Sequence, residues 1–129
     1  MRDWADMSAF GGIDLSNSYI LTWLQTERTI TFRLDFLLNT EHPRYRSPQA
    51  GEWACFRTGH LIFRNVIHVN GLPEVETLTP ASDASGAFDY GCVDTLVEIE
   101  PGQFEISGDF GQASIQSAEP IVEIEADDT

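Results

Sequence analysis

The segment "TITFRLDF", residues 29–36, constrains this chain more than any other. Ile30, Phe32, Leu34 and Phe36 alternate with Thr31, Arg33 and Asp35. Successive side chains of a strand point to opposite faces, so a period of two gathers the large apolar groups on one face and wets the other. A sheet with one dry face needs a second layer to cover it.

The same period recurs along the chain. "SYILTWL" precedes this segment, and "QTER" between them reads as a hairpin loop. "WACFR" and "HLIFRNVIHV" flank Thr58 and Gly59, which predicts a second hairpin, and Asn65 interrupts the apolar parity of Leu61, Phe63, Ile67 and Val69 as a bulge or buried amide would. "CVDTLVEIE", "QFEIS", "QASIQS" and "IVEIE" follow, separated by Pro101–Gly102, by "GDFG" and by Pro120. "DWADMSAF" sets Trp4 and Met7 three apart, as one helical turn requires, and Gly11 and Gly12 end it.

These patterns predict an all-β fold: a single domain over residues 1–129, an antiparallel sandwich or open barrel of about eight short strands with an N-terminal helical turn. At 129 residues the chain can bury about two thirds of its unfolded surface, enough for a core without metal or disulfide. Residues 1–17 form an N-terminal arm, and residues 39–52 and 70–91 form two long loops. If strands alternate in direction and "VETLT" belongs to a loop, both long loops and "GDFG" lie at one end of the sheet, opposite "QTER", Thr58–Gly59 and Pro101–Gly102.

Charge is distributed unevenly. The formal net charge is −14; seven Arg balance seven acids up to Arg64, and the rest of the chain has fourteen acids and no cation. Such a charge repels nucleic-acid backbones and anionic membrane surfaces, so neither is expected as a partner. Glu98, Glu100, Glu105, Glu123 and Glu125 alternate with apolar residues and are the candidate acidic face for a cationic partner of the inhibitor or immunity type, with a solvated face as the simpler account. Lysine is absent, which removes P-loop, Schiff-base and Ser–Lys chemistry. No apolar run reaches the ~18 residues of a membrane helix and no signal-peptide core is visible, so a cytoplasmic protein with Cys55 and Cys92 as reduced thiols is expected.

No catalytic signature emerges. His60 and His68 are too far apart along a strand to share a metal ion, and no residues have metal-ligand spacing. "DASGAFD" offers Asp83, Ser85 and Asp89 but not an EF-hand pattern. The "DFG" letters lack every other kinase element, and no Ser or Cys lies in a nucleophile motif, although Cys92 with His42 is a conceivable pair. No catalytic residue, metal or cofactor is therefore assigned.

The densest titratable cluster is "NTEHPRYRSPQAGEW". His42, Arg44, Tyr45 and Arg46 are the candidate ligand site. On extended backbone the two guanidiniums share a side and can grip a carboxylate or phosphate. The competing account pairs them with Glu74, Glu76 and Asp83 as a clasp between the long loops. The functional expectation is a non-enzymatic binding or interaction module, with an unidentified protein partner or self-association. An anionic-ligand binder or small enzyme at the loop end is the alternative.

Overall fold

The computed structural model describes residues 1–82 and 88–126. Eleven strands occur among them: β1 (Arg2–Asp3), β2 (Ile13–Gln25), β3 (Ile30–Leu38), β4 (Cys55–Phe63), β5 (His68–Asn70), β6 (Ala81–Ser82), β7 (Phe88–Asp89), β8 (Val93–Glu100), β9 (Gln103–Gly108), β10 (Gly111–Gln116) and β11 (Ile121–Ile124). All pairings are antiparallel. One sheet has the order β1-β8-β9-β10-β5, the second β11-β4-β3-β2, and β6-β7 is a separate ribbon. The result is sandwich-like and is not a closed barrel.

The alternation in β3 has the predicted consequence: Ile30, Phe32, Leu34 and Phe36 are fully buried, while Arg33 is exposed. Leu61 and Phe63 join them from β4, and Leu96, Phe104, Ile106, Ala113 and Ile115 face them from the five-stranded sheet. Aromatic edges tie the layers together: Phe63 meets Phe104 with ring centroids 5.9 Å apart, and Phe110 lies 6.1 Å from Phe32 and 5.5 Å from Trp23. Phe110, from the "GDFG" turn, is thus folded onto the core. The N-terminal arm makes two 3₁₀ turns, Trp4–Asp6 and Ser8–Phe10, and buries Met7 and Phe10 in the same core. The arm is shorter than the sequence suggests, because β2 begins at Ile13.

β2 slips register by several residues against β3 between Asp14 and Tyr19. Ser18 substitutes for the lost ladder bonds. Its hydroxyl donates to the Asp14 carbonyl at 2.7 Å and accepts the Leu37 N–H at 2.9 Å. Asn17 and Ser16 donate to the Asp14 carboxylate, which holds it below the ordinary carboxylate range.

The predicted hairpin at Thr58–Gly59 does not form. β4 runs straight through both residues, pairing with β3 on one side and β11 on the other. A Cβ at Gly59 would sit 2.5 Å from the Glu123 carbonyl oxygen, so glycine here permits close approach of β11 rather than a turn. The apolar run instead ends at Arg64, where Asn65 adopts the left-handed conformation (φ 54°) and the chain crosses to the other sheet, leaving Ile67 exposed.

This changes the arrangement of the loops. Segment 39–54 leaves β3 beside the start of β2, whereas the chain after β4 leaves from the opposite end, where the Val66 N–H bonds the Arg28 carbonyl. "VETLT" forms a 3₁₀ turn at Val75–Thr77. The long connection then follows β2, taking the Trp23 indole N–H on the Pro73 carbonyl and exchanging bonds with Ile20 through Tyr90 and Gly91.

Gly59→Ala is expected to cost on the order of 1–3 kcal/mol, as overpacking does, in urea unfolding. A hairpin glycine with no neighbour would show no such loss.

Candidate functional site

The loop after β3 is built on the arm. Asn39 donates to the Gly12 carbonyl, His42 to the Asn39 carbonyl and Tyr45 to the His42 carbonyl, forming consecutive turns. Gly12 has φ +77°, and a Cβ there would lie 2.6 Å from the His42 backbone, so the two segments pack main chain to main chain. Residues 42–45 are therefore turned, not extended, and Tyr45 packs against the core instead of standing between two arginines.

Both arginines nevertheless reach one place. Arg44 donates to the Glu125 carbonyl at 3.3 Å. Arg46 lines an open pocket of about 320 Å³ with Arg33, Phe56, Arg57, Thr58, Glu125 and Ala126. Arg33 forms a 3.3 Å ion pair with Glu125; Arg57 is nearly buried and already engaged. Among the described residues Arg46 has no hydrogen-bond or ion-pair partner. Four of the chain's seven arginines thus converge on the carboxyl-terminal end of β11, with Glu125 the acid that lines the pocket.

His42 lies behind this cluster. Its Nδ1 accepts the Arg44 N–H at 3.0 Å, so the neutral ring carries its proton on Nε2. Burial, then the charges of Arg44 and Arg57, lower its pKa below the ordinary 6.5. The clasp reading takes a different form. Among the described residues neither Arg44 nor Arg46 is paired with Glu74 or Glu76; Asp83 lies outside the described residues. The two long segments instead border one aromatic cleft of about 380 Å³, to which Trp53 and Phe88 contribute with Tyr19, Leu21, Asp35, Phe56 and Asp89.

The five glutamates do not make one face. Glu98, Glu100 and Glu105 lie on the five-stranded sheet, Glu123 and Glu125 on the other. Glu98 and Glu119 are bound by Arg2, and Glu125 by Arg33. The expectation of a continuous acidic surface is corrected: Arg2 and Arg33 supply local counter-charge, and strand order sends β11 to the opposite layer from β8 and β9.

Other candidates are equally separated. His60 stands opposite Arg33 and Glu123 on one sheet, and His68 belongs to the other. Among the described residues no three His, Cys, Asp or Glu gather as a metal site would require; Asp83 and Ser85 lie outside them, and Asp89 caps the Gly91 N–H. Both cysteines are free thiols. Burial, then the charges of Asp89, Asp109, Asp94 and Asp14, raise the pKa of Cys92, which keeps it a poor nucleophile at neutral pH. A further cavity, about 440 Å³ between β2 and residues 72–76, has Glu74 and Glu76 as its ionisable groups. Arg33, Arg57, Tyr19, Trp53, Phe56 and Phe88 were not singled out by the sequence. Alternation puts Arg33, Phe56 and Tyr19 on strands, but only the order β4-β3-β2 makes them neighbours.

No protein-family model, curated protein or solved structure matches the chain. Among the described residues no helix is long and apolar enough to cross a membrane.

Because the folded His42 releases its proton at lower pH than the unfolded chain, stability is fully present above about pH 6.5 and declines as pH falls through the folded pKa. An NMR titration should place the imidazole midpoint below 6.5. His42→Asn, which keeps an acceptor for the Arg44 N–H, should flatten the pH dependence of melting in that window. A midpoint above 6.5 would contradict the assignment.

Proposed function

We propose that the protein is a non-enzymatic binding module whose contact surface is the solvent face of the four-stranded sheet, and that it takes an anionic group between Arg33 and Arg46. The observation that carries this reading is the convergence of Arg33, Arg46 and Arg57 on one pocket, with Arg44 bonded beside it to the Glu125 carbonyl, in a chain of net charge −14. In a protein that repels anions at long range, a local cationic pocket needs a reason, and intramolecular pairing supplies only part of it. The Arg33–Glu125 pair is exposed, and such pairs contribute at most about 1 kcal/mol, so an incoming phosphate or carboxylate can displace Glu125 at little cost. Arg46 needs no displacement. Its planar fork can bind two oxygens at once.

Binding rather than catalysis is supported by what surrounds the pocket. Its remaining side chains are Phe56, Thr58 and Ala126; the Thr58 hydroxyl is paired with Asp35 at 2.7 Å, and among the described residues no histidine or cysteine lines the pocket to complete a nucleophile–base–orienter set. We also infer a cytoplasmic setting, which two unpaired cysteines in one small domain support.

A melting series with inorganic phosphate tests the reading. Stabilisation of the full chain that rises with the logarithm of phosphate concentration is expected, reaching about 2.7 kcal/mol at a hundredfold excess over Kd. Arg46→Ala should weaken binding roughly ten- to a hundredfold, as loss of a charged hydrogen bond does. An identical response in wild type and Arg46→Ala would reduce the effect to general salt stabilisation and sink the proposal.

A further inference from the structure

The arginine pocket does not stand alone on this face. Phe56 lines both it and the aromatic cleft, so the two cavities share a wall. Phe56 and Thr58 emerge on the same side of β4, and Thr58 in the pocket is hydrogen-bonded to Asp35 in the cleft, so the two cavities adjoin.

The cleft has the features of a ring site. Trp53 is 71% exposed and Phe88 63% exposed, an unusual state for two large aromatic side chains of one small domain. Trp53 meets Phe56 edge to face at 5.3 Å, and Tyr19 tilts against Phe56 at 5.8 Å. These contacts hold the rings as a wall while leaving Trp53 open to solvent. Aromatic side chains have only two rotatable bonds, so such rings stack on a flat partner at low entropic cost.

The acids in the cleft restrict what that partner can be. Asp35 accepts the Thr58 hydroxyl through Oδ1 at 2.7 Å, and Asp89 accepts the Gly91 N–H through Oδ1 at 2.8 Å. Neither bond uses Oδ2. Two carboxylates repel an anionic ring and favour one that brings hydrogen-bond donors, either hydroxyls or an exocyclic amine. The positive pocket beyond Phe56 takes the opposite charge.

Resting on the anion-binding reading above, we propose that the ligand is bipartite: a flat-faced ring bearing hydrogen-bond donors, stacked at Trp53, Phe56 and Tyr19, joined to a phosphate held by Arg46 and Arg33. A mononucleotide and a sugar phosphate both have this chemistry. The net charge of −14 selects against a polymeric nucleic acid.

Calorimetric titration of the full chain with inorganic phosphate, adenosine monophosphate, glucose 6-phosphate, adenosine and glucose separates the parts. At least one ring phosphate should bind tenfold or more tightly than inorganic phosphate, and which one does so identifies the ring. Trp53→Ala should erase that advantage while leaving inorganic phosphate affinity unchanged; the side chain is exposed, and unchanged circular dichroism and melting would show that the fold is intact. Arg46→Ala should weaken every phosphate and leave the neutral rings alone. If phosphate binds through Arg46 but neither ring adds affinity, the bipartite ligand is wrong and the anion site stands. If the ring phosphates bind no better than their neutral counterparts and Arg46→Ala changes nothing, the anion reading fails as well.

Discussion

The packing of Phe32, Phe63, Phe104, Phe110 and Trp23 between the two sheets is the interaction on which the rest of this structure depends. Each of these rings is buried: Trp23, Phe32 and Phe63 come from neighbouring strands of one sheet, and Phe104 and Phe110 meet them from the other sheet and its turn. Burial of a single such side chain contributes about 1.5–3 kcal/mol, and edge-to-face contacts add to that. With the inner faces committed to the seam, the polar residues of β3 and β4 have to face outward. Arg33, Asp35, Phe56, Thr58 and His60 line the solvent side because their neighbours in sequence are fixed within.

That outward face is then shaped by what surrounds it. β11 brings Glu125 alongside Thr58, and the turns anchored on Gly12 carry Arg44 and Arg46 to the same place. From the other side the long connection following β2 delivers Phe88 and Asp89 to Tyr19. A positive pocket and a ring-lined cleft thus lie next to each other, although their residues span the sequence from Tyr19 to Ala126.

Much of the architecture was legible in the alternation of "TITFRLDF" and its counterparts, because a period of two leaves no alternative to strands with one dry face. The turns at 26–29, at Pro101–Gly102 and at "GDFG" were legible for the same local reason. Thr58–Gly59 was misread because a glycine that makes room for another strand looks, in sequence, like a glycine that turns the chain; the difference lies in Glu123, more than sixty residues away. The candidate site was half visible. Arg44 and Arg46 announce themselves by proximity, whereas Arg33 and Arg57 become their neighbours through sheet order and the path of the C-terminal segment. The five glutamates looked like one face because each alternates with apolar residues, yet alternation fixes a side of a strand and says nothing about which layer that strand joins.

The edges of the sheets carry a consequence for recognition. β2, with thirteen residues, has part of its outer edge occupied by Tyr90 and Gly91. Among the described residues the other edge strands of the two main sheets are β1, β5 and β11, of two, three and four residues. Strand addition needs a run of unpaired main-chain groups long enough to outweigh the ordering of an incoming segment, and edges this short supply few of them. The side chains on the sheet faces, more than main-chain groups along β1, β5 or β11, are thus what this fold presents to its surroundings.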